Sequence, residues 1–156
     1  MKFESFEAQD TLKVGVLLGC MAKKGNIYTL SGDLGVGKTV LAQGFAQGLG
    51  IEENINSPTF TIVQEYTNGE MPFFHFDVYR ISDPEEMYEI GFEEYLYGGG
   101  VCLIEWAELI RDILPENTID IRIEKDLEKG LAEANKILNS KNRDEIINQL
   151  KDKNKQ

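Results

Sequence analysis

The sequence has few of the residues that hold small secreted or metal-bound folds together. Its 156 residues include only two cysteines, Cys20 and Cys102, and one histidine. The cysteines lie 82 positions apart without the paired spacing of a zinc site. We therefore expect inert, buried thiols in a reducing compartment, with a disulfide as the less favoured alternative. A chain of this length can bury about 70% of its surface, so one domain folds without disulfides or metals.

Long hydrophobic runs and targeting signals are missing too. The longest apolar run, residues 14–22, falls short of the roughly 20 residues that span a bilayer. The first ten residues carry Glu4, Glu7 and Asp10, where a secretory signal would carry positive charge. We expect a cytoplasmic protein that makes no use of a membrane.

Basic residues are scarce in most of the chain. Residues 1–124 hold 8 Lys and Arg against 21 Asp and Glu, net −13, whereas residues 125–156 hold 8 against 6, net +2. The acidic body argues against a broad basic face that grips nucleic acid directly, so any phosphate site must be local. The shift divides the chain into a globular domain, 1–124, and a polar, helical C-terminal tail, 125–156.

The first third of the chain predicts a helix, a strand, a glycine-rich loop and a second helix. The strand covers 27–30 and the second helix 39–49, which Gly50 ends. The first helix covers 5–24, and its apolar residues recur at helical spacing: Leu12, Val16, Leu17, Cys20 and Met21.

A β-hairpin is predicted next. Two β-rich runs, 59–66 and 71–79, flank Asn68-Gly69, which favours a two-residue type I′ turn because both of its positions need positive φ. That turn would place Ile62 opposite His75 and Phe60 opposite Asp77. Asp77 then lies at the open end of the hairpin.

The second half predicts one more helix and two more strands. Asp83, followed by a proline and two acids, should begin a helix that runs to about Leu96. The apolar run 101–104 is typical of a strand covered on both faces, and Glu105 follows it. Residues 118–123 should form another strand, and apolar periodicity from 126 onward predicts one or two amphipathic helices in the tail.

The motif with a chemical function is a P-loop, a glycine-rich loop between a strand and a helix. Its glycines let backbone N–H groups point at phosphates, the helix N-terminus adds its positive end, and the lysine reaches the β- and γ-phosphates. The threonine hydroxyl is suited to Mg²⁺. The nucleotide-binding residues predicted here are Gly32, Asp33, Leu34, Gly35, Val36, Gly37, Lys38, Thr39 and the adjacent Val40.

These elements predict an α/β fold, a P-loop NTPase-like three-layer sandwich whose mixed sheet contains a β-hairpin. A P-loop also needs a carboxylate at the carboxyl end of a neighbouring strand. Asp77 and Glu105 each follow an apolar run. We assign Asp77 to Mg²⁺ through water and Glu105 to the metal or to the attacking water, with the two roles exchangeable. The alternative is that both acids are merely solvated strand ends.

Three further features carry weaker signals. Hydroxyls in the Ser57–Thr61 loop, above all those of Thr59 and Thr61, could sense a γ-phosphate, although such residues are also ordinary turn chemistry. His75 by itself is expected to be a strand residue with one hydrogen bond rather than a catalyst. Trp106 is expected in the core or in a pocket wall.

The succession of motifs resembles the TsaE (YjeE) family, small P-loop ATPases of tRNA threonylcarbamoyladenosine synthesis. The resemblance covers about residues 5–123 and rests on GDLGVGKT, SPTFTIVQEY, HFDVYR, an acidic helix with GFEEYL, and CLIEWAE. Family members tend to finish with a short Arg-containing strand, where this chain has its polar tail.

The resemblance implies Mg²⁺-ATP binding by Lys38 and Thr39, metal or catalytic roles for Asp77 and Glu105, and a switch role for the Thr59 loop. It also implies TsaD and TsaB as partner proteins, with tRNA contacted only indirectly. An ATPase that cycles between ATP and ADP, slow alone and dependent on partners, is the favoured function. A small-molecule kinase is the alternative, although it would need more cations than four arginines supply. A third class is a binding module that uses the nucleotide only to choose partners.

Overall fold

The computed structural model describes residues 8–32 and 37–124. The helices and strands follow one another in the predicted order, with an additional 3₁₀ helix before the last strand. The elements are α1 (Ala8–Met21), β1 (Ile27–Gly32), α2 (Lys38–Gly48), β2 (Val63–Tyr66), β3 (Phe73–Asp77), α3 (Glu86–Glu89), α4 (Phe92–Leu96), β4 (Val101–Glu105), a 3₁₀ helix (Ala107–Ile113) and β5 (Ile119–Ile123).

The five strands form one mixed sheet in the order β2-β3-β4-β1-β5. β2 runs antiparallel to β3, and the other neighbouring pairs are parallel. Asp77 of β3 and Leu30 of β1 both pair with Glu105, the last residue of β4. The carboxyl ends of the three central strands therefore meet at one edge, next to the loop that follows β1.

Helices cover both faces of the sheet, which gives the predicted three-layer α/β sandwich. On one face α2 packs on the sheet, with Phe45, Phe73 and Leu103 fully buried. On the other face α3, α4 and the 3₁₀ helix enclose a second cluster that includes Phe76 and Met87. β3 and β4 are buried along their whole length, as a continuous apolar run predicts.

α1 contacts α2 through glycines rather than through large apolar side chains. Its buried residues are Gly15 and Gly19, while Leu17 and Met21 are 54% and 65% exposed. A Cβ on Gly19 would lie 2.1 Å from the backbone oxygen of Phe45 in α2. Glycine is required there because the two helix backbones touch. The predicted helix is confirmed. The close approach of the backbones places its glycines against α2 and leaves Leu17 and Met21 outside, while Val14 and Leu18 pack against the core.

The hairpin is confirmed, but its turn is longer than predicted. Gln64, not Ile62, pairs with His75, so the register differs by two residues and each side chain keeps its face. The connection folds onto α2, where the Glu70 amide donates to the Leu49 carbonyl at 2.9 Å. A Cβ on Gly69 would lie 2.6 Å from that same oxygen. Gly69 therefore serves this close approach, and the predicted type I′ turn was wrong.

The single helix predicted over 83–96 is broken in two. It also begins later than predicted, because α3 starts at Glu86 with Glu85 at its N-cap. The Asp83 carboxylate accepts the Glu85 amide at 3.0 Å in the turn before the helix. Gly91 then adopts φ 75° between α3 and α4. That left-handed conformation ends a right-handed helix and suits glycine.

The two cysteines differ in burial. Cys102 is buried in β4, and burial raises the pKa of its thiol to about 12. Cys20 is exposed on α1, so the expectation of a buried thiol there was wrong, because the glycines of α1 face α2. Both thiols are free, which leaves no disulfide between them.

Within the described residues, 8–32 and 37–124, no helix is long and apolar enough to cross a membrane. The predicted C-terminal helices, from 126 onward, lie outside the described residues. The division of the chain at residue 124 stays a prediction.

Candidate functional site

A cavity of about 510 Å³ opens at the carboxyl edge of the sheet. It lies where β3 and β4 end and α2 begins, which is the edge at which the sequence predicts the site. The residues that line it come from the P-loop, the Ser57 loop and the ends of two strands: Gly37, Lys38, Thr39, Ser57, Thr59, Asp77, Tyr79, Glu105 and Trp106.

The P-loop residues that the structure describes lie at the two ends of the motif. Gly32 ends β1, and Gly37, with φ 99°, precedes the first residue of α2. Lys38 is 8% exposed, and its Nζ lies 4.1 Å from the centroid of the Trp106 ring, within the range of a cation–π contact. Thr39 is exposed toward the cavity. The helix N-terminus, its lysine and a hydroxyl thus share one cavity.

The remaining P-loop predictions divide into two groups. Val40 lies in the first turn of α2, outside the lining of the cavity. The four middle residues, 33–36, lie outside the described residues.

Asp77 is the centre of a small network of hydroxyls. Its Oδ2 lies 3.2 Å from the Thr59 hydroxyl oxygen and 3.4 Å from the Ser57 hydroxyl oxygen. Those two oxygens lie 2.9 Å apart, so the two hydroxyl protons are shared among the three contacts. Oδ1 accepts the Tyr79 amide at 3.0 Å. The carboxylate is 5% exposed. The Ser57 loop is therefore held against this carboxylate by hydrogen bonds.

Glu105 is equally buried, at 5% exposure, and is held by a different partner. Its Oε2 lies 2.8 Å from Nε2 of His75, which is 1% exposed. The other ring nitrogen of His75, Nδ1, has no hydrogen-bond partner among the described residues. The expectation of a strand histidine with one hydrogen bond is confirmed, and that bond leads to the second candidate acid.

Aromatic side chains form one wall of the cavity. The rings of Tyr79 and Trp106 lie 4.8 Å apart, and Trp106 has φ 62°, which is uncommon for a bulky residue. Phe60 is 80% exposed, and the Arg80 guanidinium lies 4.2 Å from its ring. Thr61 of the same loop is exposed and does not line the cavity.

Tyr79 is the lining residue that the sequence analysis missed. Ser57 belongs to the loop considered there as a γ-phosphate sensor, and Trp106 was expected in the core or in a pocket wall. Tyr79 follows Asp77 by two positions. Its nearness in sequence to a strand-end carboxylate is the signal that could have identified it.

The donor set fits a magnesium ion shared with a nucleotide. Across residues 8–32 and 37–124 no cluster of three or more His, Cys, Asp or Glu could hold a metal. The cavity offers the carboxylates of Asp77 and Glu105 and the hydroxyl of Thr39. Mg²⁺ commonly binds through one or two carboxylates and completes its shell with phosphate oxygens and water.

The fold and this site define a P-loop NTPase-like protein. The crystal structure of Bacillus subtilis YdiB superposes with a TM-score of 0.70 and 40% sequence identity, covering 81% of this chain and 77% of that one. The sequence model of the family described as "Threonylcarbamoyl adenosine biosynthesis protein TsaE" matches residues 5–134. The chain therefore belongs to the TsaE family.

Relatives named "tRNA threonylcarbamoyladenosine biosynthesis protein TsaE" are similar over most of the chain. The protein of Bacillus subtilis strain 168 is 46% identical over 125 residues, which is 80% of this chain and 78% of the relative. The protein of Treponema pallidum strain Nichols is 41% identical over 136 residues, 87% of this chain and 96% of the relative.

Proposed function

We propose that this protein binds ATP with Mg²⁺ in the cavity and hydrolyses it to ADP, slowly alone and faster with partners. The hydrolysis cycle serves the threonylcarbamoyladenosine modification of tRNA in the cytoplasm. One observation carries the proposal. A helix N-terminus with Lys38, a magnesium-type hydroxyl and two buried carboxylates all face a single cavity at the carboxyl edge of the sheet.

Phosphate binding rests on the start of α2. The first N–H groups of a helix have no partner within it and carry the positive end of its dipole. Lys38 adds a full positive charge there, and its stem is buried. In the proposed complex its ammonium leaves the Trp106 face for the β- and γ-phosphates, because an ion pair with phosphate is stronger than a cation–π contact.

The two acids have distinct surroundings, which supports distinct roles. Asp77 is surrounded by hydroxyls and an amide, and we assign it to Mg²⁺ through water, together with Thr39. Glu105 has one oxygen held by His75, and we assign it to the metal or to orienting the attacking water. Bound Mg²⁺ would neutralise charge that develops on the phosphates.

The Ser57 loop is the proposed sensor of the nucleotide state. Ser57 and Thr59 both bond the carboxylate that we assign to the metal. A γ-phosphate and its metal would compete for those oxygens and hydroxyls, so hydrolysis would release the loop. We propose that this loop and the nearby surface report the nucleotide state to partner proteins.

TsaD and TsaB are the proposed partners, and tRNA is reached through them. Residues 1–124 have a net charge of −13, which repels a phosphate backbone. The acids Glu85, Glu89 and Glu93 of the α3–α4 region are exposed. That acidic surface is suited to a protein partner with a basic face.

The test is a set of three nearly isosteric variants, assayed for ATP hydrolysis with and without TsaB and TsaD. Asp77→Asn and Glu105→Gln should lose at least about 100-fold in kcat, since each removes a charge that faces the metal. Glu108→Gln, an exposed acid outside the cavity, is the matched control and should behave as wild type. Titration calorimetry should show that Asp77→Asn also loses the Mg²⁺ dependence of ATP affinity.

Two outcomes of the same assay would overturn the proposal. Wild-type turnover by both acid variants would show that the acids are only structural, as hydrogen-bond partners of the Ser57 loop and of His75. Transfer of the γ-phosphate to a nucleoside or sugar would show a kinase. The described arginines do not favour that second outcome, since Arg111 and Arg122 bond Asp120 and Glu124 and no arginine among the described residues lines the cavity.

A further inference from the structure

His75 is polar in a place where packing alone would favour an apolar residue. The other buried positions of β3 before Asp77 are phenylalanines, and β4 beside it is apolar up to Ile104. The imidazole is 1% exposed, yet Nδ1 has no partner among the described residues. A buried polar atom without a partner costs free energy, so a histidine here calls for an explanation other than stability.

Strand register explains where the ring points. His75 precedes Asp77 by two residues and so lies on the same face of the sheet. It pairs with Leu103, while Asp77 pairs with Glu105. The ring therefore lies two residues further from the carboxyl edge of the sheet than both acids. It is nearly parallel to the Phe73 ring, with 5.9 Å between the ring centroids and an interplanar angle of 12°. Its Nε2 reaches across to Glu105 at 2.8 Å.

The direction of that hydrogen bond follows from chemistry. We take Glu105 to be an ionised carboxylate, which can only accept, and therefore assign the proton to Nε2 as the donor to Oε2. The buried ring cannot turn without losing its stacking on Phe73. Glu105 is thus fixed through one oxygen while its carboxylate lines the cavity.

We propose that His75 is a positioning residue, which holds the Glu105 carboxylate in the orientation used by the metal or the attacking water. The inference rests on the proposed ATPase function and adds a residue to it. His75 itself touches neither the nucleotide nor the reacting atoms. Groups that orient a metal ligand or a catalytic carboxylate typically contribute 10- to 100-fold to activity.

The first test separates positioning from stability by two substitutions. His75→Phe keeps an aromatic ring among phenylalanines and removes the donor. In His75→Gln the terminal nitrogen lies as many bonds from Cβ as Nε2 does, so the donor remains. We expect His75→Phe to lower kcat by about 10- to 100-fold with KM for Mg²⁺-ATP within about twofold. His75→Gln should recover most of the rate.

Controls keep the result interpretable. Phe74→Leu alters the opposite face of the same strand, and it should lower thermal stability without changing the ratio of kcat to KM. If His75→Phe does not fold, His75→Leu removes the donor with less volume. Equal losses in the Phe and Gln variants, each in proportion to the fall in melting temperature, would overturn the proposal.

The second test needs no turnover. His75 is the only histidine in the chain, so the imidazole signals in a ¹⁵N-edited NMR spectrum belong to this ring alone. We expect a solvent-protected proton on Nε2 that persists in Phe74→Leu and disappears in Glu105→Ala. An unprotonated Nε2 in the wild type, or a proton unaffected by loss of Glu105, would overturn the proposed hydrogen bond.

The two proposals fail in different ways. If Glu105→Gln turns over ATP at the wild-type rate, the proposed role of Glu105 fails and His75 has nothing to position. If Glu105→Gln is inactive and His75→Phe keeps its kcat, the ATPase proposal stands and the positioning proposal alone is refuted.

Discussion

Adding one methyl group between α1 and α2 should both destabilise the protein and impair its site. The two helices carry glycines four positions apart, Gly15 and Gly19 in α1, Gly44 and Gly48 in α2. A Cβ on Gly44 would lie 2.2 Å from the backbone oxygen of Leu12. Ordinary contact between a methyl carbon and a carbonyl oxygen needs more than 3 Å, so Gly44→Ala must push the helices about 1 Å apart.

The free-energy change has two opposing parts. Alanine is favoured over glycine inside a helix by about 1 kcal/mol. Overpacking costs about 1–3 kcal/mol where side chains can adjust, and more where they cannot. The obstacle here is backbone, and the methyl group would also meet the Val16 nitrogen at 3.1 Å. We therefore take a cost of about 3–4 kcal/mol and expect a net loss of about 2–3 kcal/mol.

Thermal unfolding followed by circular dichroism measures this loss. At about 4 °C per kcal/mol for a chain of this size, Gly44→Ala should lower Tm by about 8–12 °C. Gln47→Ala introduces the same residue at an exposed position of α2 and should change stability by less than about 0.5 kcal/mol. ATP affinity should fall as well, below the melting range, because α2 begins at Lys38. A Gly44→Ala variant more stable than the wild type would mean that helix propensity outweighs the backbone contact, and the reasoning would be refuted.

Three further predictions concern the nucleotide, the thiols and tRNA. Lys38→Ala should weaken ATP binding on the order of 100-fold in calorimetry, since charged hydrogen bonds contribute about 1.5–3 kcal/mol; unchanged affinity would refute the P-loop assignment. Ellman's reagent at pH 8 should modify one thiol in the native protein and two in denaturant, because Cys20 is exposed and burial holds the pKa of Cys102 at about 12. Modification of both native thiols at one rate would contradict that burial. The isolated protein should not shift tRNA in a gel at physiological salt, and salt-sensitive binding would contradict the charge argument.

The location of the site could be predicted from sequence because parallel strands impose it. Asp77 and Glu105 each end an apolar run, and the carboxyl ends of neighbouring parallel strands must lie at one edge. In the structure the two acids pair directly across β3 and β4, which is the arrangement that this pattern predicts. The P-loop adds its lysine at the same edge for the same reason.

The elements that differed from prediction are those decided by contacts distant in sequence. Gly69 suggests a tight turn when only its neighbours are considered, yet Leu49 of the α2 terminus determines its conformation. The apolar periodicity of α1 does not reveal that glycines, not Leu17 and Met21, face α2. The four-residue spacing of glycines in both helices is visible in the sequence. It indicates a helix contact only when the partner helix has the same spacing, and local patterns do not identify that partner.

Trp106 shows why local propensity fails most sharply at the site itself. Tryptophan has no preference for positive φ, and a bulky residue at φ 62° carries backbone strain of about 1 kcal/mol or more. That conformation comes directly after Glu105 and directs the indole toward Lys38 and Tyr79. The favourable ring contacts offset part of the strain, and the indole forms the wall of the cavity beside Glu105. Selection for function can thus retain a residue in an unfavourable conformation next to a buried carboxylate. Local propensity cannot predict such a residue.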